Sequence, residues 1–272
     1  MQVGVIIIIK DTDVEEKFKK VYELGIKSCQ INCWNHAIMT DELAEKITAA
    51  SKKYGVNIST VWVGWSGPAV WNFTEGPITL GIVPRKFREA RKEEIKHGSD
   101  FAKKLGVRQI ATHFGFLPEC PCDSEYPLIL EAVKELADYC KANGQYMLFE
   151  TGQETPITLL RVIEDSGRDN LGINLDPANL IMYGKANPTD ALTVFGKYVR
   201  DVHAKDGNYP TDGGNLGLEL PLGKGSVNFP LFVAKLREVG YDGPLTIERE
   251  IEGEEQIRDI IMAKKILEDI IG

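Results

Sequence analysis

The chain has 272 residues, with 32 Lys and Arg against 40 Asp and Glu, a formal net charge of −8 and 43% hydrophobic residues. At about 150 residues per domain this is one large domain or two small ones, long enough to bury about three-quarters of its unfolded surface. The composition excludes disordered, fibrous and membrane classes, and a net acidic chain has no electrostatic footprint for duplex nucleic acid, so no nucleic-acid partner is expected.

The first apolar run, residues 3–9, is closed by Lys10-Asp11. It is too short to span a membrane and lacks the basic flank of a signal peptide, so it reads as a buried strand. Seven further β-branched runs follow at 27–32, 57–63, 109–113, 146–150, 171–176, 198–203 and 245–248. Between them, helical patterns rich in Lys and Glu begin near Asp13, Asp41, Pro84, Ser124, Thr155, Pro177 or Thr189, and Asn228, and another begins near Glu254 after the last run. Thr40-Asp41 and Asp123-Ser124 are helix-start signals. Gly25, Gly55, Gly106, Gly144 and Gly240 stand just past helix ends, where the backbone turns left-handed. Strands alternating with helices imply parallel pairing through right-handed crossovers. Eight such units in this length fit a (β/α)8 TIM barrel better than an open doubly wound sheet. No linker or composition break divides the chain, so residues 1–272 read as a single TIM-barrel domain. Five cysteines, at 29, 33, 120, 122 and 140, form no even framework. They read as free thiols, and without a membrane or targeting segment a cytoplasmic protein is expected.

Four consecutive strands end in metal-capable side chains: Glu150, Asp176, His203 and Glu248. One such ending is commonplace. Four on one barrel converge, because all strand C-termini open at the same mouth. The first two steps are 26 and 27 residues, about one βα unit each; the third, 45 residues, contains a Gly-rich connection. Three carboxylates and one imidazole form an oxygen-rich site for a hard divalent cation, Mn²⁺ first, with Mg²⁺, Co²⁺ or Zn²⁺ also compatible. Two connections are long, 64–84 with Trp65, Trp71 and Phe73, and 206–227 with six Gly. Connections of this length in a compact barrel usually carry function, and both belong to the C-terminal face.

The segments Phe149-Glu150-Thr151-Gly152-Gln153-Glu154, Leu175-Asp176-Pro177-Ala178-Asn179, Val202-His203-Ala204-Lys205-Asp206 and Gly243-Pro244-Leu245-Thr246-Ile247-Glu248 resemble the xylose-isomerase-like superfamily of TIM barrels. Within it they are similar to the sugar phosphate isomerase/epimerase group, relatives of the ketose 3-epimerases. The run Pro221-Leu222-Gly223-Lys224-Gly225-Ser226-Val227-Asn228-Phe229 resembles the segment before the last strand there, and the resemblance covers nearly the whole chain. It implies that Glu150, Asp176, His203 and Glu248 hold the metal, and that Glu150 and Glu248 are also the catalytic acid/base pair. A bound cation would polarise a ketose carbonyl and stabilise an enediolate. Two carboxylates on opposite sides of the substrate would then take a proton from one face and return one to the other. The expected activity is a metal-dependent sugar isomerase or epimerase acting on a small-molecule sugar. The alternatives are a metal-dependent lyase or dehydratase, eliminating from a keto-sugar, keto-inositol or oxidised glycoside, and a non-catalytic sugar-binding subunit. Association into a homo-oligomer or a larger complex is compatible with such barrels, though no interface patch is readable.

Other residues supply the expected substrate wall. His113 ends the fourth strand and can meet a sugar hydroxyl. Trp65 and Trp71 can stack on a sugar's apolar face and exclude water. Asn179 and Lys205 flank metal-capable residues as hydroxyl contacts, and Asn32 ends the second strand. Glu154 follows Glu150 by four residues, but no role is assigned to it. The superfamily also contains endonuclease IV-like enzymes with histidine-rich trinuclear zinc sites. This chain has four His, at 36, 97, 113 and 203, and Asn179 stands where a histidine would follow the Asp, so it cannot furnish three metals. No Gly-rich phosphate cradle is present, and the group's name does not imply a phosphorylated substrate.

Overall fold

The computed structural model describes residues 1–11 and 13–272. The first half contains β1 (Gln2–Ile8), α1 (Glu15–Glu23), β2 (Ser28–Cys33), α2 (Asp41–Tyr54), β3 (Asn57–Val63), α3 (Gly76–Thr79), α4 (Arg85–Lys104), β4 (Gln109–Thr112) and α5 (Tyr126–Ala142). The second contains β5 (Tyr146–Glu150), α6 (Pro156–Ser166), β6 (Leu171–Leu175), α7 (Pro177–Met182), α8 (Pro188–Phe195), β7 (Val199–Ala204), β8 (Asp206–Gly207), β9 (Glu219–Leu220), α9 (Phe229–Glu238), β10 (Pro244–Ile247) and α10 (Glu254–Ile271). Eight parallel strands close in the order β1-β10-β7-β6-β5-β4-β3-β2, a (β/α)8 TIM barrel. β1 and β10 make the closure, with Val3 beside Leu245 and Val5 beside Ile247. No helix among the described residues is long and apolar enough to cross a membrane.

Local sequence explains the boundaries. Thr40 caps α2 by accepting from Leu43 N–H, and Gly55 ends it at φ 64°, a conformation that costs glycine little. The helical pattern expected at Pro177 or Thr189 is two helices, α7 and α8, each with a proline in its first turn.

The apolar core lies between the outer faces of the strands and the helices, with Phe18, Ile47, Phe101, Leu136 and Phe232 among its fully buried members. The barrel interior is different. Gln30, Thr60, Asn174, Asp201 and His203 are completely buried. Buried polar groups are costly unless they are bonded, and these are bonded across the barrel. Thr60 Oγ1 donates to Asp201 Oδ2 at 2.6 Å, and Gln30 Nε2 donates to Asn174 Oδ1 at 3.1 Å. Two register shifts sit beside this network. β3 carries an extra residue, Ser59, opposite the step Cys29-Gln30, and β7 carries an extra residue, Arg200, opposite Ile173-Asn174. Bulges of this kind re-aim side chains.

The two long connections roof the mouth. Connection 64–84 includes α3, and connection 206–227 is braced by the antiparallel pair β8 and β9. They meet where Asn72 bridges to Asn215 and Phe73 N–H donates to Gly214 O at 3.0 Å. Each has its own anchor. The Asp206 carboxylate accepts from the backbone N–H groups of Gly223, Gly225 and Val227 at 2.9–3.0 Å. A Cβ on Gly225 would lie 2.2 Å from Asp206 Oδ1, so only glycine fits that turn. Arg91, completely buried, clamps the other connection. Its guanidinium donates to the carbonyls of Ser66, Pro68, Thr79 and Gly81 at 2.6–3.1 Å and stacks on Trp65.

Candidate metal centre and active site

Glu150 ends β5, Asp176 follows β6, His203 is the penultimate residue of β7, and Glu248 follows β10. One ligand-capable atom from each lies within 4.8 Å of the others. Every strand delivers its side chain to the same rim, which is why separate stretches of chain converge here.

The geometry leaves particular atoms free. Asp176 is the N-cap of α7, and its Oδ1 accepts from Asn179 N–H at 2.8 Å. That bond orients the carboxylate and leaves Oδ2 buried with no hydrogen-bond partner. His203 Nε2 lies 2.9 Å from Gln30 Oε1 and 3.0 Å from Asn174 Nδ2. The ring donates from Nε2 to Gln30 and turns Nδ1 to the three carboxylates, which favour a proton there and raise the imidazole well above its ordinary value; a cation would take that proton's place. Nδ1 lies 3.1 Å from Glu248 Oε2, 3.5 Å from Asp176 Oδ2 and 3.6 Å from Glu150 Oε1. Asp176 Oδ2, His203 Nδ1 and Glu248 Oε2 are all buried and make no hydrogen bond, the Lys205 ammonium beside Glu248 Oε2 being their one cationic neighbour among the described residues. Orphaned buried polar atoms are rare. Three converging beside a third carboxylate fit a divalent cation, and the oxygen-rich donor set suits a hard one.

Glu150 is held by the Trp62 indole N–H on one oxygen and by Asn179 Nδ2 at 3.3 Å on the other, with His113 Nε2 also 3.3 Å away. Lys205 Nζ lies 3.2 Å from Glu248 Oε2, 3.8 Å from Asp176 Oδ2 and 2.8 Å from Glu250 Oε2. Burial pushes the Glu150 carboxyl up, but the imidazoles of His113 and His203 outweigh it and hold it below the ordinary carboxylate value. Burial pushes Glu248 up in the same way, and Lys205 and His203 bring it below its ordinary value. Both carboxylates are therefore held ionised.

Above these groups lies a cavity of about 240 Å³. Glu150 and Glu248 line it, as do Asn32, Trp71, His113, Asn179 and Lys205. Trp65 does not. It is 2% exposed, buried between Arg91 and the rings of Trp34 and Trp71, and so supports the wall from behind. The aromatic surface facing the cavity is Trp34, Trp62, Trp71 and Tyr183. The sequence does not single out Trp34, Trp62, Gln30 and Asn174, nor the cavity-lining Met182, Tyr183, Leu216 and Glu250. A tryptophan at the end of β3 and another just past β2 carried the same strand-end signal as Asn32. Gln30 and Asn174 lie within strands and carried none. The five cysteines are free, with Cys29, Cys33 and Cys140 buried away from solvent.

Fold and site together define a TIM barrel with a cation-ready carboxylate and histidine cluster at its C-terminal mouth. The sequence model for the xylose isomerase-like TIM barrel family matches residues 18–266. The chain belongs to that family. A xylose isomerase domain protein from Planctomyces limnophilus shares 33% identity and a TM-score of 0.93, the match covering 99% of this chain and 96% of that one. A D-tagatose 3-epimerase-like protein has a TM-score of 0.75 at 23% identity, with 100% and 97% covered. The uncharacterised protein MJ1311 of Methanocaldococcus jannaschii is 29% identical over 197 residues, 68% of this chain, and the match spans only 64% of that protein's length.

Proposed function

We propose that the protein is a divalent-metal-dependent epimerase or isomerase of a ketose or keto-sugar, with Mn²⁺ as its cation. Glu150, Asp176, His203 and Glu248 would hold the ion. Bound there, it would supply Lewis acidity that makes the C–H beside a substrate carbonyl acidic. The chain's own residues perform the rest. β5 and β10 are separated by two strands in the barrel, so Glu150 and Glu248 reach the cavity from different sides. One carboxylate removes the proton and the other returns a proton to the opposite face, inverting the centre. Trp62 and Asn179 orient Glu150, and Lys205 orients Glu248. His113, Asn179 and Asn32 are placed to bind hydroxyl groups, and Trp71 with Trp62 covers the apolar face of the ring and excludes water.

The observation that supports this reading most is the pairing of two ionised carboxylates with a shared, orphaned donor set under one sugar-sized cavity. The test is incubation of the Mn²⁺-loaded protein with a ketose panel in D₂O. We expect deuterium at the carbon beside the carbonyl together with the inverted product, and loss of both in Glu248→Gln. Release of water or of an aglycone would replace epimerisation by elimination. Full turnover by Glu248→Gln would remove that carboxylate from the mechanism.

A further inference from the structure

Lys205 faces the metal-capable group without being able to join it. It directly follows β7, and the chain is fixed on both sides of it: Ala204 belongs to the strand, and the Asp206 carboxylate accepts from three backbone N–H groups. The side chain is only 3% exposed. Its ammonium has two kinds of neighbour. It lies 3.2 Å from Glu248 Oε2 and 3.8 Å from Asp176 Oδ2, two of the atoms that turn toward the metal site without a hydrogen bond. It also lies 2.8 Å from Glu250 Oε2 and 3.5 Å from Asn179 Oδ1, which stand outside the group of Glu150, Asp176, His203 and Glu248. An ammonium has donors only and no lone pair for a metal. It meets the same oxygens that a divalent cation would take, and the two charges repel. The two sides also differ in burial. The Asp176 and Glu248 side chains are 0% and 11% exposed, whereas that of Glu250 is 58% exposed at the cavity rim. The ammonium therefore stands between the ligand oxygens and a solvent-facing carboxylate, on a flexible four-carbon stem.

Resting on the metal-site reading above, we propose that Lys205 is a positioning residue that serves as the internal counter-cation of the metal centre. In the free protein its ammonium balances Glu248 and Asp176; when the ion binds, it withdraws to Glu250 and Asn179. Glu150, Asp176 and Glu248 bring three carboxylates together in the buried mouth, and uncompensated buried charge is strongly destabilising. The ammonium offsets part of it, so the fold does not depend on the ion. The same ammonium competes with the ion for Glu248 Oε2, which loosens the ion's hold. Glu250 then acts on the metal through Lys205, as the place to which the ammonium moves.

The experiment measures Mn²⁺ binding to the full chain by calorimetry at one fixed pH, with urea unfolding of the metal-free and Mn²⁺-saturated protein beside it. Lys205→Met keeps the stem and removes the charge. It should tighten Mn²⁺ binding at least about tenfold, and it should lower the urea midpoint of the metal-free protein more than that of the loaded one. A role confined to orienting Glu248 gives the opposite sign, so unchanged or weaker Mn²⁺ binding by Lys205→Met would overturn the proposal and leave the metal site standing. Glu250→Gln, at a side chain open to solvent, removes the place of withdrawal. It should weaken Mn²⁺ binding about fivefold, the worth of one partly exposed charge pair; unchanged binding would overturn the proposal even where Lys205→Met fails to fold. The double variant should bind Mn²⁺ as tightly as Lys205→Met alone. If Glu250→Gln keeps its full effect in that background, Glu250 acts on the ion by its own charge and the withdrawal is overturned. Failure of the unaltered protein to bind Mn²⁺ would overturn the reading of the site and this inference with it.

Discussion

Glu154 offers a test that does not depend on activity. Its side chain is 3% exposed, and Oε1 is buried with no hydrogen-bond partner. Burial pushes its carboxyl up to about 7, against the pull of His113 and Lys185. The folded protein therefore keeps this proton over a range where the unfolded chain has lost it. Where the native state binds more protons, stability falls as pH rises. The contribution is intact below the unfolded value near 4.5, declines from there to about pH 7, and is fully lost above it. At 1.36 kcal/mol per unit the whole effect is about 3 kcal/mol. Glu154→Gln keeps the volume and removes the ionisation. Relative to the unaltered protein, the variant should gain about 1 kcal/mol at pH 5 and about 3 kcal/mol at pH 8. Urea denaturation of both proteins at pH 5, 6, 7 and 8, read by tryptophan fluorescence with equal m-values, measures the gap. A gap that stays constant across this range, or grows toward acid, would refute the assignment.

Two further outcomes follow from the structure. Gln30→Leu removes the acceptor that orients the His203 ring, so Mn²⁺ affinity should fall 10–100-fold by titration calorimetry, and the roughly 2.7 kcal/mol of stabilisation expected at a hundredfold excess over Kd should need correspondingly more metal; unchanged affinity would mean that other contacts hold the ring. Arg91→Lys keeps the charge but loses the fork that binds four carbonyls, which should cost about 2–4 kcal/mol and open connection 64–84 to protease; a variant with unaltered stability and cleavage pattern would show that the connection is held elsewhere.

What the sequence disclosed and what it withheld have one physical cause. A residue at the C-terminal end of a barrel strand reaches the mouth almost regardless of how the strand is registered, because all eight ends share one rim. Glu150, Asp176, His203 and Glu248 could be read for that reason, as could the (β/α)8 pattern itself, where each apolar run and each glycine-ended helix repeats the same unit. Facing within a strand has no such protection: a one-residue slip turns every side chain to the other side. Gln30 and Asn174 lie at mid-strand, and each stands beside a step where the neighbouring strand carries an extra residue, Ser59 or Arg200. No local signal marks those bulges, so alternation alone cannot tell a glutamine inside the barrel from one in solvent. The roof repeats the problem in irregular backbone. Trp65 and Trp71 are equivalent as letters six residues apart in one connection, and the difference between them is made by Arg91, twenty residues further on in α4, which captures Trp65 and leaves Trp71 to the cavity.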